Sequence, residues 1–435
     1  VNESSILADT SSNTRTALSG KDTLCIAAGV FCFLSATKAI MCGQIFCVSS
    51  HYQGVSAMLI GVPKEIKANE HRVGLIPAST REFVARGHKV IIETGAGVGI
   101  GFTDEHYQQA GAEIVGTAAE IFKRADMVIK VKEPQKVECD MLREDQILFT
   151  YLHLAADPQQ TKGLQDSGCV AIAYETVTSR SGGLPLLAPM SEVAGRMSVQ
   201  VGAQCLLKSE GGMGLLLGGV PGVAPADVTI IGGGVAGLNA LRMAFGLGAS
   251  VTVIDRDLNR LRYLDELFAG RVNTCYSNTE NIERYVLRSD LVVGTVLVPG
   301  AAAPKLITRD MVDNMRPGSA IVDVAVDQGG CAETTKPTTH ANPTYKVGEV
   351  IHYCVANMPG GVPRTSTMAL NNATLPYALA LADKGAWKAM ADDEHLRNGL
   401  NICRGDVTYE SVARDLNLSY VPSQQHINNA LKVAA

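Results

Sequence analysis

The apolar run Val228-Thr-Ile-Ile231 passes directly into Gly232-Gly-Gly234-Val235-Ala236-Gly237, and helix-forming residues follow. Glycines at the first, third and sixth positions permit a tight turn, a close backbone approach and close helix packing, while the helix start presents unpaired amides to an anion. The pattern alone is common, so its placement between a strand and a helix gives it weight. A chain built on such a unit is committed to β/α alternation and a parallel sheet. The next apolar run, residues 250–254, ends in Asp255, 18 residues beyond Gly237. A carboxylate there accepts hydrogen bonds from both hydroxyls of a ribose and repels a 2′-phosphate. NAD is therefore expected over NADP, although the neighbouring Arg256 argues the other way.

Similar alternation occupies most of the chain. Strands are predicted over 58–62, 90–92, 112–115, 127–131 and 147–152. Helices are predicted over 80–86 and 118–124, with a short one opened by Thr103 or Asp104. A second series begins after Pro189, with a helix over 191–208, a glycine-rich connector over 211–223, and strands over 228–231, 250–254, 291–295 and 320–324. After Pro359 the chain reads as helical again, most clearly over 370–382, and so short a tail must return to the first series to find a core. The fold expected is α/β with two doubly wound domains. At 435 residues, 46% of them hydrophobic, the chain has the apolar surface for two cores.

Net charge excludes some partners. At −5, with both signs interspersed, it gives no electrostatic case for nucleic acid or for an anionic membrane surface. None of the 11 cysteines forms a C-x-x-C pair, and reduced thiols in the cytoplasm fit their scatter. Four of them fall in residues 1–57, whose character differs from the rest. Residues 24–48 are apolar but broken by Gly29, Lys38 and Gly43, a borderline membrane span. Met58 reads as a natural first residue, so residues 1–57 are expected to be an atypical extension, leader sequence in preference to a membrane anchor.

Ligands of open α/β sheets collect beyond the carboxyl ends of the strands, where polar residues terminating apolar runs become candidates. Lys132, His153 and Asp327 occupy such positions, and Arg72 lies in the loop after the first strand. Each has a competitor or a plainer reading. Lys130 shares the strand face of Lys132, Asp323 precedes Asp327, Lys64 and Lys67 precede Arg72, and a histidine after an apolar run is often a core residue.

The motifs together resemble the alanine dehydrogenase and transhydrogenase family. The resemblance begins with Met58-Leu-Ile-Gly-Val-Pro-Lys-Glu-Ile-Lys-Ala-Asn-Glu-His-Arg-Val-Gly-Leu-Ile-Pro77. It continues through Val131-Lys-Glu-Pro134, Tyr151-Leu-His-Leu-Ala155, Leu187-Ala-Pro-Met-Ser-Glu-Val-Ala-Gly195 and Gly218-Gly-Val-Pro-Gly-Val223. Asp323-Val-Ala-Val-Asp-Gln-Gly-Gly330 and Cys354-Val-Ala-Asn-Met-Pro359 complete it. It implies a Rossmann NAD-binding domain over 187–360, inserted into a discontinuous flavodoxin-like substrate domain made of 58–186 and C-terminal helices over 361–428. It also implies NAD-dependent oxidative deamination of L-alanine to pyruvate and ammonia, and the reverse, by hydride transfer to C4 of the nicotinamide with iminium and carbinolamine intermediates.

By the same resemblance, Arg72 and Lys132 hold the substrate carboxylate and carbonyl, His153 bonds the reacting oxygen and Asp327 serves proton transfer. Ser191, Gly232, Gly234, Val235, Ala236, Gly237, Asp255, Ser277, Val296, Leu297, Val324, Ala325, Val326, Asp327, Val355, Ala356, Asn357 and Met358 would line the cofactor. No metal ligand is assigned, since Lys384 stands where some relatives carry a histidine. A homohexamer with no membrane partner is expected. The rival within the resemblance is the NAD(H)-binding subunit of a transhydrogenase, disfavoured because Lys132, His153 and Asp327 are all present.

Overall fold

Short apolar runs bounded by glycine or polar turns make strands that can be buried on both faces, the condition for a parallel sheet covered by helices. A computed structural model describes residues 57–296 and 303–434, in which two such sheets form. The first six strands are β1 (Leu59–Val62), β2 (Lys89–Glu93), β3 (Glu113–Val115), β4 (Met127–Ile129), β5 (Ile147–Thr150) and β6 (Val170–Ala173). All run parallel, in the order β3-β2-β1-β4-β5-β6, a doubly wound sheet whose winding reverses between β1 and β4.

The second sheet contains β7 (Asp227–Ile231), β8 (Ser250–Asp255), β9 (Asn273–Tyr276), β10 (Leu291–Gly294), β11 (Ala320–Asp323), β12 (Thr344–Val347) and β13 (Val350–Tyr353). Its order, β12-β13-β11-β10-β7-β8-β9, is the Rossmann winding with an antiparallel edge strand, β12. The chain then returns: β14 (Leu400–Cys403) pairs antiparallel with β6, and β15 (Asp406–Val407) closes that edge.

Three helices frame the site: α1 (Ala188–Cys205) and α3 (Pro363–Lys384), and α2 (Val235–Gly246), which packs within the second lobe. Helix α1 starts three residues before the expected 191 because Pro189 is tolerated in a first turn. It links the two cores, giving Met190 and Val193 to the first and Ala194 and Val199 to the second. Helix α3 buries Leu370, Leu379 and Leu381 in the first core, while its Thr367 and Asn371 side chains accept hydrogen bonds from the amides of Val73 and Ile76.

The apolar pattern left out six strands: β9, β12 and β15 are sheet edges, whereas β6, β13 and β14 are interior and fully buried. Strands β9 and β12 are half exposed and carry polar residues, so no apolar run marks them. The C-terminal tail, expected to be helical, also supplies β14 and β15. Asn401 interrupts the apolar signal of β14, and its buried amide is satisfied by Thr176 and the Gly399 carbonyl. Among the described residues, no helix is long and apolar enough to cross a membrane. Residues 1–56 of the atypical extension lie outside the described residues.

Helices α1 and α2 cross at Gly195, where any Cβ would collide with the Ala236 carbonyl. A Gly195→Ala substitution is expected to cost about 1 to 3 kcal/mol, read from urea unfolding. Wild-type stability in that variant would contradict the packing described.

Candidate active site

Strand β7 runs into Gly232, which turns the chain at φ +98°, a region where an L side chain is strained. A Cβ on Gly237 would strike the Gly232 carbonyl, whereas one on Gly234 would meet nothing within 4 Å, leaving the ground outside the turn open. Helix α2 then starts with no side-chain cap and no acidic residue in its first turn. Its leading amides are thus free to meet an anion, as a dinucleotide pyrophosphate requires. The Asp255 carboxylate is fixed at the end of β8 by the amides of Gly233 (2.6 Å) and Asp257 (2.8 Å). With Gly234, Val235, Asp257 and Arg260 it lines an open cleft of about 370 Å³. Arg260, which sequence reasoning missed, donates to the carbonyls of Gly233 and Gly234 and so braces the turn.

The other proposed cofactor residues lie around the same sheet. Ser277 follows β9 and donates its amide to the Asp255 carbonyl. Val296 follows β10, where the Thr295 hydroxyl bonds the turn at Gly232. Val324, Ala325, Val326 and Asp327 form a 3-10 turn after β11, and Val355, Ala356, Asn357 and Met358 follow β13. Ser191 sits in the first turns of α1 and Ala236 in that of α2. Leu297 lies outside the described residues.

In the first sheet, Arg72, Lys132 and His153 come after β1, β4 and β5, three neighbouring strands. Arg72 is buried, and its Nε and Nη2 donate to Glu70 at 2.7 and 2.6 Å. Nη2 also reaches Asn357 Oδ1 at 2.8 Å, and Asn357 Nδ2 donates to Glu70 at 3.1 Å. A loop of the first sheet is therefore bonded to a loop of the second. The remaining Nη1 points at the Met190 sulfur, 3.2 Å away. Burial works against the Glu70 charge, but the hydrogen bonds and charge of Arg72 outweigh it and bring the carboxyl from 4.5 to about 2.

Lys132 is mostly buried. Burial lowers its pKa, helped by the cations Arg72 and Lys67, while Glu133 and Asp327 pull the other way. Asp327 of the second sheet is thus within electrostatic reach of Lys132. His153 stands further out, with its ring half exposed and stacked on Tyr151 at 5.8 Å, and its amide donating to Glu175. Among the described residues it makes no hydrogen bond to Arg72, Lys132 or Asp327.

The sequence competitors separate by environment. Lys130 is fully buried between Glu65 (3.1 Å) and Glu138 (2.7 Å). Asp323, also buried, accepts from the amides of Ala325 and Cys331 and from the Thr335 hydroxyl, the work of a turn-holding residue. Asp327 is exposed, and among the described residues its carboxylate makes no such bond. Lys64 is exposed, and Lys67 pairs with Glu133. Glu70 and Asn357 are the partners that strand-end reasoning missed as a pair. The only hint was that Glu70 stands two residues before Arg72.

Comparison with known proteins finds relatives over most of the chain. The family described as "Alanine dehydrogenase/PNT" matches through its N-terminal domain over residues 61–194 and its C-terminal domain over 198–410. The chain is similar to the alanine dehydrogenase of Halomonas elongata, 60% identical over 84% of this chain and 98% of that one. The alanine dehydrogenase of Methanococcus maripaludis is 58% identical over 85% and 100%. A solved structure described as L-alanine dehydrogenase superposes with TM-score 0.80 at 54% identity, covering 83% of this chain and 99% of that one.

The depressed pKa of Glu70 gives a signed expectation. Stability from its ionised form is complete above about pH 4.5 and is lost as pH falls toward about 2. Between pH 6 and pH 3 this group alone should remove about 2 kcal/mol from wild-type stability. The Glu70→Gln variant should lack that part of the acid slope, and parallel urea-stability profiles would contradict the pairing.

Proposed function

The chain belongs to the alanine dehydrogenase/PNT family, and from that premise we infer that it is an NAD-dependent oxidoreductase interconverting L-alanine with pyruvate and ammonia. The observation that carries the site assignment is the contact of Arg72 with Asn357, which turns the strand ends of the two sheets toward each other. Substrate chemistry at one rim then meets the nucleotide turn at the other.

The glycine turn and the α2 amides would hold the pyrophosphate of NAD, and Asp255 its adenosine ribose. When bound, NAD supplies the hydride acceptor. The protein orients and moves protons. Glu70 occupies one edge of the Arg72 guanidinium, so Nη1, now at Met190, is the edge offered to the substrate carboxylate. Fixing the carboxylate there converts a bimolecular encounter into an oriented one. Loss of hydride from Cα leaves an iminium, to which water adds, and the carbinolamine then expels ammonia. Lys132 would hold the developing oxygen, His153 would exchange its proton with the outer side of the cleft, and Asp327 would take the proton from water.

We draw the domain boundaries at 58–186 with 361–428 for the substrate domain and 187–360 for the nucleotide domain. The protein is assigned to the cytoplasm on its seven free cysteines among the described residues. It is assigned to a homohexamer joined through the nucleotide lobes. Leu216, Val220, Val223 and Leu247 of that lobe are exposed and apolar, which supports self-association.

Incubation with NAD and L-alanine should raise NADH absorbance, faster as the pH climbs from neutral to strongly alkaline, because hydride loss needs the neutral amine. A flat pH profile, or no NADH, would contradict the reading. Lys132→Met should lower kcat/KM on the order of 100-fold or more, measured at saturating NAD. Light scattering should report six chains, and a monomer would overturn the hexamer.

A further inference from the structure

One carboxylate beside the proposed site has no role yet. Glu133 follows Lys132 directly and precedes Pro134, which restricts its backbone to an extended form. The Gln135 side-chain amide also donates to its carbonyl at 3.1 Å. Its Oε1 is bonded to Lys67, whose side chain is 42% exposed. Its Oε2 is buried, with no hydrogen-bond partner among the described residues, and lies 3.8 Å from the Lys132 ammonium. A buried carboxylate oxygen without a donor is costly unless a nearby charge compensates it.

We propose that Glu133 is a positioning residue that holds Lys132 in its charged form, and that Lys67 limits this hold by occupying the other carboxylate oxygen. The arrangement is a line of three alternating charges running from the cleft to solvent. Lys132 faces Arg72 and Lys67 from the loop after β1, Glu133 from its own loop, and Asp327 from the second sheet. Glu65 reaches only the Lys132 backbone amide, because its carboxylate serves Lys130. Two cations thus oppose the charge on Lys132. Of the two anions, Glu133 is the one held in the same loop, so the cleft keeps a cation for an oxyanion only while Glu133 is ionised and in place.

The inference rests on the role given to Lys132, but it is tested without substrate, so its failure is distinct from failure of the alanine reading. Trace labelling of the free amine with acetic anhydride across a pH series, read by peptide mass spectrometry, gives the titration midpoint of Lys132 in the full protein. In Glu133→Gln the midpoint should fall by about one pH unit, because the nearest counter-charge is gone. In Lys67→Met it should rise, because an opposing cation is removed and Glu133 is released toward Lys132. Opposite shifts are not expected of a merely structural disturbance, which would expose Lys132 and move both variants toward an ordinary lysine. An unmoved midpoint in either variant, or shifts of the same sign, would overturn the proposal. If the Glu133→Gln variant does not fold, Glu133→Asp, which keeps the charge but draws it back by one methylene, should still lower the midpoint, and an unmoved or raised midpoint there would overturn the proposal.

Discussion

A guanidinium taken out of water must find partners for its charge and its donors, and Arg72 finds them in two parts of the chain 287 residues apart. Glu70 supplies the counter-charge and Asn357 the remaining acceptor, and each of these also bonds the other. Asn357 meets Arg72 from a left-handed backbone conformation, φ +62°, that asparagine tolerates better than most residues. Much else depends on this cluster. It faces the strand ends of both sheets inward, and helix α1, which carries Met190 to the same guanidinium, belongs to both cores.

Charge is distributed around the cleft by degree of burial. Deepest is Lys130, held between Glu65 and Glu138, of which Glu65 also accepts from the Val131 amide at the start of the segment carrying Lys132. Lys132 itself is intermediate, flanked by cations and anions in equal number. His153 and Asp327 stand nearest to solvent, where protons can be exchanged. Such a gradient suits a reaction that must grip an anion firmly at one end and pass protons at the other.

Much of this was legible in the sequence, for a physical reason. Parallel strands buried on both faces are written as apolar runs, and the residues just beyond them lie at the ligand side of the sheet, so Arg72, Lys132, His153 and Asp327 were all placed by position. The choice between Lys132 and Lys130, or Asp327 and Asp323, was not legible. It depends on partners such as Glu138, Cys331 and Thr335, whose proximity is created by folding. Edge strands β9 and β12 were hidden because an exposed edge tolerates polar residues, and interior β14 because a buried Asn401 breaks its apolar pattern, a cause that does not extend to the buried runs of β6 and β13. The Glu133 and Lys67 pairing was equally silent, since a charged residue beside a lysine is ordinary in any loop.

The central claim is that one small anion is gripped between the two lobes, with the free edge of Arg72 at its carboxylate. A crystal structure with NADH and pyruvate tests it directly. The pyruvate carboxylate should displace Met190 from Arg72 Nη1, with the keto oxygen turned toward Lys132 and His153 and Asp327 beside it. Pyruvate bound away from Arg72, or an Arg72 still closed on Met190 with the ligand in place, would contradict the account.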